Sequence, residues 1–127
     1  MPVDMKNVIA STFATMAKQK GIDKITVKAL IGACGISRQT FYYHFQDIME
    51  VVEWSLEQVT QDAAERSLQA ESPEKAIGTL ISLAMENRTL IRRLLDSQRC
   101  EQIEKLFVQA TRTYLQALIR NRTRKLP

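Results

Sequence analysis

The amino-acid sequence predicts an all-α fold, with an N-terminal three-helix helix-turn-helix head followed by a short helical bundle. Three observations carry that expectation. Glycine and proline number only four and three, whereas an all-β chain needs frequent turns. Apolar residues recur at helical spacing almost throughout. Two short helical segments meet across Cys34-Gly35-Ile36, a turn tight enough to set the second across the first.

The elements follow in order. Val8, Ile9, Phe13, Met16 and Ala17 mark one face of a first helix over 5–20, with Asp4 as N-cap and Gly21 as stop. Thr26 caps a second helix over 27–34, whose inner face is Val27, Leu30, Ile31 and Cys34. Gly35 supplies the positive φ of the turn, and Ile36 plugs the angle between the helices. Ser37 caps a third helix over 38–45. Asp47 caps a fourth over 48–70, with Glu50 placed for a capping box and Val51, Val52, Ser55, Leu56, Val59 and Ala63 as its stripe. Ser72-Pro73 reads as a cap followed by a first-turn proline. It opens a fifth helix whose inner face is Ile77, Leu80, Ile81 and Ala84. Leu90, Ile91, Leu94 and Leu95 continue that helix or form a short one of their own. A final helix over 99–121 carries Ile103, Leu106, Phe107, Ala110, Tyr114, Leu118 and Ile119, with Leu115 beside them. The expected division is a head at 1–48 and a bundle at 49–127, joined through the fourth helix.

Composition narrows the function classes. A chain of 127 residues buries roughly two thirds of the surface it exposes when unfolded, so no disulfide or metal staple is required. No apolar run nears the ~20 residues of a membrane helix. The start, MPVDMKNV, lacks a signal peptide's positive and apolar regions, which makes a cytoplasmic location the expectation. Cys34 and Cys100 match no zinc spacing and His44 is the sole histidine, so free thiols, no metal and no cofactor are expected. Ser72 and Lys75 have the spacing of a serine–lysine nucleophile pair, but Pro73 and Glu74 make them a helix start. No catalytic constellation is present, and the chain does not read as an enzyme. Trp54, Met49 and Met85 are expected in the core.

The net charge is +4, unevenly spread. Residues 1–48 hold six Lys/Arg against three Asp/Glu, while residues 49–127 hold twelve against eleven. Four of those twelve are Arg120, Arg122, Arg124 and Lys125, read as a solvated end. A basic head suits a polyanion such as DNA.

The segment TVKALIGACGISRQTFYYHF, residues 26–45, carries the chemistry. Phe41 and Phe45 lie four apart and share one side of the third helix. Gln39, Thr40, Tyr42 and Tyr43 fall on the other side, and Ser37 and Arg38 stand at its N-terminus, where backbone N–H groups favour phosphate. Such a face can hold phosphates and read base edges: Arg38 a guanine, Gln39 an adenine. Thr26 and Lys28 are candidate phosphate contacts beside it, with Tyr42, Tyr43 and His44.

At these residues the chain resembles the TetR family of tetracycline-repressor-like bacterial regulators. The resemblance covers residues 5–56, through Lys20-Gly21, Ile25-Thr26-Val27, Gly35-Ile36-Ser37 and Thr40-Phe41-Tyr42-Tyr43-His44-Phe45. The phrase CGISRQTFYYHF, with Trp54 downstream, is most similar to the dihydroxyacetone-kinase-regulator branch. The resemblance implies a homodimeric transcriptional regulator, usually a repressor, with two heads in successive major grooves of double-stranded DNA and an effector in the C-terminal bundle. The stripe of the final helix is the expected dimer surface. Two departures stand out. Ile48 takes the place of a lysine that the family usually uses near the start of the fourth helix, so restoring lysine there is expected to tighten DNA binding. The region after residue 56 is also short for the family. Both features favour a second reading: a helical dimerisation or protein-interaction module that has lost operator binding.

Overall fold

The computed structural model describes residues 4–124. Among them are seven α-helices and no strand: α1 (Met5–Lys20), α2 (Val27–Cys34), α3 (Arg38–His44), α4 (Ile48–Leu68), α5 (Pro73–Glu86), α6 (Arg88–Leu95) and α7 (Cys100–Arg124). The expected caps form. Thr26 Oγ1 accepts the Ala29 N–H at 3.0 Å, Ser37 Oγ that of Thr40 at 3.1 Å, and Asp47 Oδ1 that of Glu50 at 2.9 Å. Each satisfies a backbone donor that a helix start leaves without a partner. Ser72 Oγ accepts the Lys75 N–H at 3.2 Å, and the Lys75 ammonium pairs with Glu71 at 2.7 Å. Both side chains of the supposed nucleophile pair are therefore engaged in building the start of α5. Asn87 separates α5 from α6, which is a helix of its own. The final helix runs past its expected end to Arg124, and Lys125 lies outside the described residues.

The α2–α3 turn has the predicted glycine geometry. Gly35 sits at φ 69°, ψ 34°. The Gly35 N–H donates to Gly32 O and the Ile36 N–H to Ile31 O, the paired bonds of a Schellman stop. A Cβ added to Gly35 would meet nothing within 4 Å, so backbone conformation rather than space demands glycine there.

The core gathers around α1. Ile9, Phe13 and Ala17 pack against Leu30 of α2, Phe41 of α3 and Val51 of α4. A short 3-10 turn at Ile22–Lys24, not signalled by periodicity, adds buried Ile22. The same cluster continues without a gap into Leu94 of α6 and Ile103 of α7, so head and bundle share one core. Two polar contacts tie the seam. The Gln98 N–H donates to the Asp23 carboxylate at 3.0 Å, and Arg93 Nη2 donates to Gln19 O at 3.3 Å.

The far end of the bundle is pinned separately. The Tyr114 hydroxyl of α7 donates to Ala76 O of α5 at 2.6 Å and lies 2.5 Å from Ser67 Oγ of α4. Tyr114 is 1% exposed, so this hydroxyl needs both partners. Between the main core and this pin lies a cavity of about 420 Å³, bounded by α1, α4, α5, α6 and α7.

Several inward expectations are corrected. Ile77, Ile81 and Met85 are exposed along α5. That helix buries only Ala76, and the flank bearing these three residues at four-residue spacing is left uncovered. Ala84 is exposed at the cavity rim, and Val59 of α4 is exposed as well. Ile48 is 5% exposed and belongs to the core, so it does not stand on an outer, DNA-facing surface. The stripe on α7 splits. Ile103, Tyr114 and Leu118 are buried within the chain, whereas Val108, Leu115 and Ile119 remain exposed.

Candidate nucleic-acid interface

The reading face is built by division of α3. Phe41 and Phe45 are 0% and 1% exposed, and their rings meet at 6.0 Å. Phe45 also meets the half-buried Trp54 of α4 edge-on at 6.0 Å. These contacts hold α3 on one side and fix which residues face outward. Arg38 and Gln39 are exposed in its first turn. Tyr42 leans edge-on against Phe41 at 5.2 Å but stays 48% exposed, and Tyr43 is 85% exposed. A phenol so exposed adds nothing to the core of this chain, whose apolar area lies elsewhere. His44 is half-buried and packs edge-on against Tyr43 at 5.0 Å.

The remaining candidates serve the local backbone first. Thr26 and Ser37 are the caps of α2 and α3. Thr40 is half-buried, and its hydroxyl lies 2.9 Å from Ser37 Oγ. Lys28 is exposed on the first turn of α2. The fold thus brings Thr26 and Lys28 of α2 and Ser37 to His44 of α3 onto adjoining elements, as the sequence predicts. Among the described residues, no cation of the head forms an ion pair; the one pair present is Lys75–Glu71. Lys28 and Arg38 are therefore open to an anionic partner.

One cation escaped the sequence reading. Lys6, in the first turn of α1, stands 5.5 Å from the Phe45 ring and 5.8 Å from the Trp54 ring. It brings a positive charge beside the C-terminal end of α3, held against two aromatic faces. Nothing local signals this, because the partners lie 39 and 48 positions away in the chain.

The fold is that of known regulators. One similar structure is a dihydroxyacetone kinase operon activator, DhaS, at TM-score 0.74 and 19% identity, covering 99% of this chain and 70% of that one. Another is a transcriptional regulator described as TerR/AcrR family, from Aquifex aeolicus VF5, at TM-score 0.64 and 17% identity, covering 93% and 78%. A search of curated proteins finds no match. Among the described residues, no helix is long and apolar enough to cross a membrane. Residues 12–53, which span most of α1 through the start of α4, match the family model of bacterial regulatory proteins, tetR family. Over that segment this all-helical chain is similar to the tetR family of bacterial regulatory proteins.

Proposed function

We propose that this protein is a DNA-binding transcriptional regulator that docks as a homodimer on a palindromic operator, with α3 of each head in the major groove. The observation that carries the reading is the two-sided α3. It is anchored by buried Phe41 and Phe45 and presents Arg38, Gln39, Tyr42 and Tyr43 outward. Residues 1–48 form the DNA-binding unit and 49–127 the regulatory region. Arg38 and Gln39 read bases; Thr26, Lys28, Ser37, Thr40, Tyr42, Tyr43 and His44 position the head on the backbone. Repression by occupying promoter DNA is the sign we assign. A reporter that rises with the protein would reassign it to activation, the sign in the name of one structural neighbour. The cavity at the head–bundle seam is the effector site. Phe13 and Ala14 of α1 line it, so an occupant touches the head directly and can change its affinity for DNA.

Selection of bound sequences from random duplex DNA, followed by mobility shift, tests this. The unmutated protein should enrich a palindrome with half-sites about 34–36 Å apart. Its affinity should fall with salt, with a log–log slope of about −0.9 per neutralised phosphate. Arg38→Ala and Gln39→Ala should each remove about 1–3 kcal/mol of base discrimination and leave non-specific binding intact. Tyr43→Phe should weaken all sequences alike. Recovery of the same palindrome by both alanine variants would remove these residues as readers.

For assembly, we assign the dimer surface to α7, through its exposed Val108, Leu115 and Ile119. These lie seven and four residues apart and share one side of the helix. Leu118 is 9% exposed within its own chain, so a charge there would disturb folding rather than report on assembly. Ile119 is 64% exposed and is the clean position. Ile119→Asp should leave helical content unchanged, yield monomers in sedimentation and weaken operator binding, because two half-sites no longer act as one. An unmutated protein that sediments as a monomer at micromolar concentration would defeat the α7 dimer.

A further inference from the structure

We propose that Lys6 of α1 is a DNA-positioning residue, holding a backbone phosphate at the C-terminal end of α3. This inference rests on the reading of α3 as the helix in the groove and adds a contact from a different element. Lys6 lies ahead of residues 12–53, so the family match does not supply it.

The charge is costly where it stands. Lys6 is the second residue of α1, and the first turn of that helix holds no acidic residue. Unsatisfied N–H groups make a helix start positive, so a cation there is disfavoured. The side chain is also half-buried, which removes part of its hydration. No carboxylate compensates. The Asp4 carboxylate accepts the Asn7 N–H at 3.4 Å and Asn7 Nδ2 at 2.7 Å, and Asp47 accepts the Glu50 N–H at 2.9 Å. Among the described residues the one ion pair is Lys75–Glu71, so neither carboxylate pairs with Lys6. What holds the ammonium is two aromatic rings, Phe45 at 5.5 Å and Trp54 at 5.8 Å. Such a contact orients a charge and leaves it without a counter-ion. Covering the two rings needs only the apolar stem, which a methionine would also provide.

Its place decides the ligand. Phe45 is the C-cap of α3 and directly follows His44. Tyr43 is 85% exposed, and His44 packs edge-on against it. The ammonium therefore stands where the outward face of α3 meets the start of α4. A major groove is walled by two sugar–phosphate backbones, so a helix seated in it has phosphates along its edges. A phosphate at this edge supplies the counter-charge that Lys6 lacks.

The test uses the full chain and two duplexes of equal length, one with the most enriched sequence and one scrambled, in mobility shifts across a salt series. Lys6→Met keeps an unbranched stem over Phe45 and Trp54 and removes the charge. It should melt with the unmutated protein and bind both duplexes at least about tenfold more weakly at about 0.1 M salt. Its log–log salt slope should be shallower by about 0.9 for each bound head. Lys6→Arg should keep both affinity and slope. An unchanged slope in Lys6→Met overturns the proposal whether affinity holds or falls, because a packing role does not alter the number of counterions released. So does a shallower slope in Lys6→Arg. Where Lys6→Met fails to fold, Lys6→Gln takes its place with the same expected slope. The operator reading fails separately: equal affinity of the unmutated protein for the two duplexes removes sequence reading and leaves the Lys6 slope to decide this contact. A protein that binds neither duplex defeats both.

Discussion

Phe41→Ala should lower the melting temperature by roughly 10–20 °C and abolish sequence-specific DNA binding. Phe41 is 0% exposed and is the one buried residue within α3. Removing its ring leaves a cavity among α1, α2 and α3, and such deletions cost about 3–5 kcal/mol. Folded domains hold only about 5–15 kcal/mol in total. The damage should not stay local, because the cluster containing Phe41 also contains Leu94 and Ile103 of the bundle. We therefore expect one shifted unfolding transition, followed by circular dichroism, rather than early melting of the head alone. A shift of only a few degrees would mean that α3 is not anchored by Phe41, and the division of α3 into a packed and a reading side would fall with it.

Ile48→Lys should destabilise the protein by several kcal/mol and weaken DNA binding. This reverses the expectation from the family pattern, in which lysine at this position adds a phosphate contact. Ile48 is 5% exposed and packs in the same cluster as Phe45, Val51 and Val52. An ammonium placed there is buried without a partner, or must carry its stem outward and leave a gap behind. Chemical denaturation paired with a mobility shift separates the outcomes. Unchanged stability with tighter binding would show that the lysine reaches the DNA surface and would restore the family expectation. The buried side chain also weakens the second reading, that of an interaction module without DNA binding. A residue turned into the core says nothing about the outer face, where Lys28 and Arg38 remain.

The head was legible because its signals are local. Asp4, Thr26, Ser37 and Asp47 each accept a backbone N–H three residues on, and Gly35 adopts the left-handed turn within a six-residue motif. The faces of α3 followed from helical period alone, since Phe41 and Phe45 must share a side. The bundle was less legible. Periodicity marks an apolar face without saying what covers it. On α5 the stripe through Ile77, Ile81 and Met85 is real, yet these residues stay exposed. On α7 one broad stripe serves two purposes, with Tyr114 and Leu118 turned inward and Leu115 and Ile119 outward.

By itself, the sequence determined the all-helical class, the helix starts, the turn at Gly35 and the polar face of α3. Each depends on residues a few positions apart, where covalent geometry and hydrogen-bond reach leave few alternatives. Only the tertiary structure decided that Ile48 faces inward, that Asp23 and Arg93 tie the head to the bundle, that Lys6 stands over Phe45 and Trp54, and that an uncharged cavity lies between the core and the Tyr114 pin. The named contacts of Lys6, Asp23 and Arg93 join residues 39 to 75 positions apart. Such pairs meet through the packing of whole helices, which no local pattern of residue types encodes.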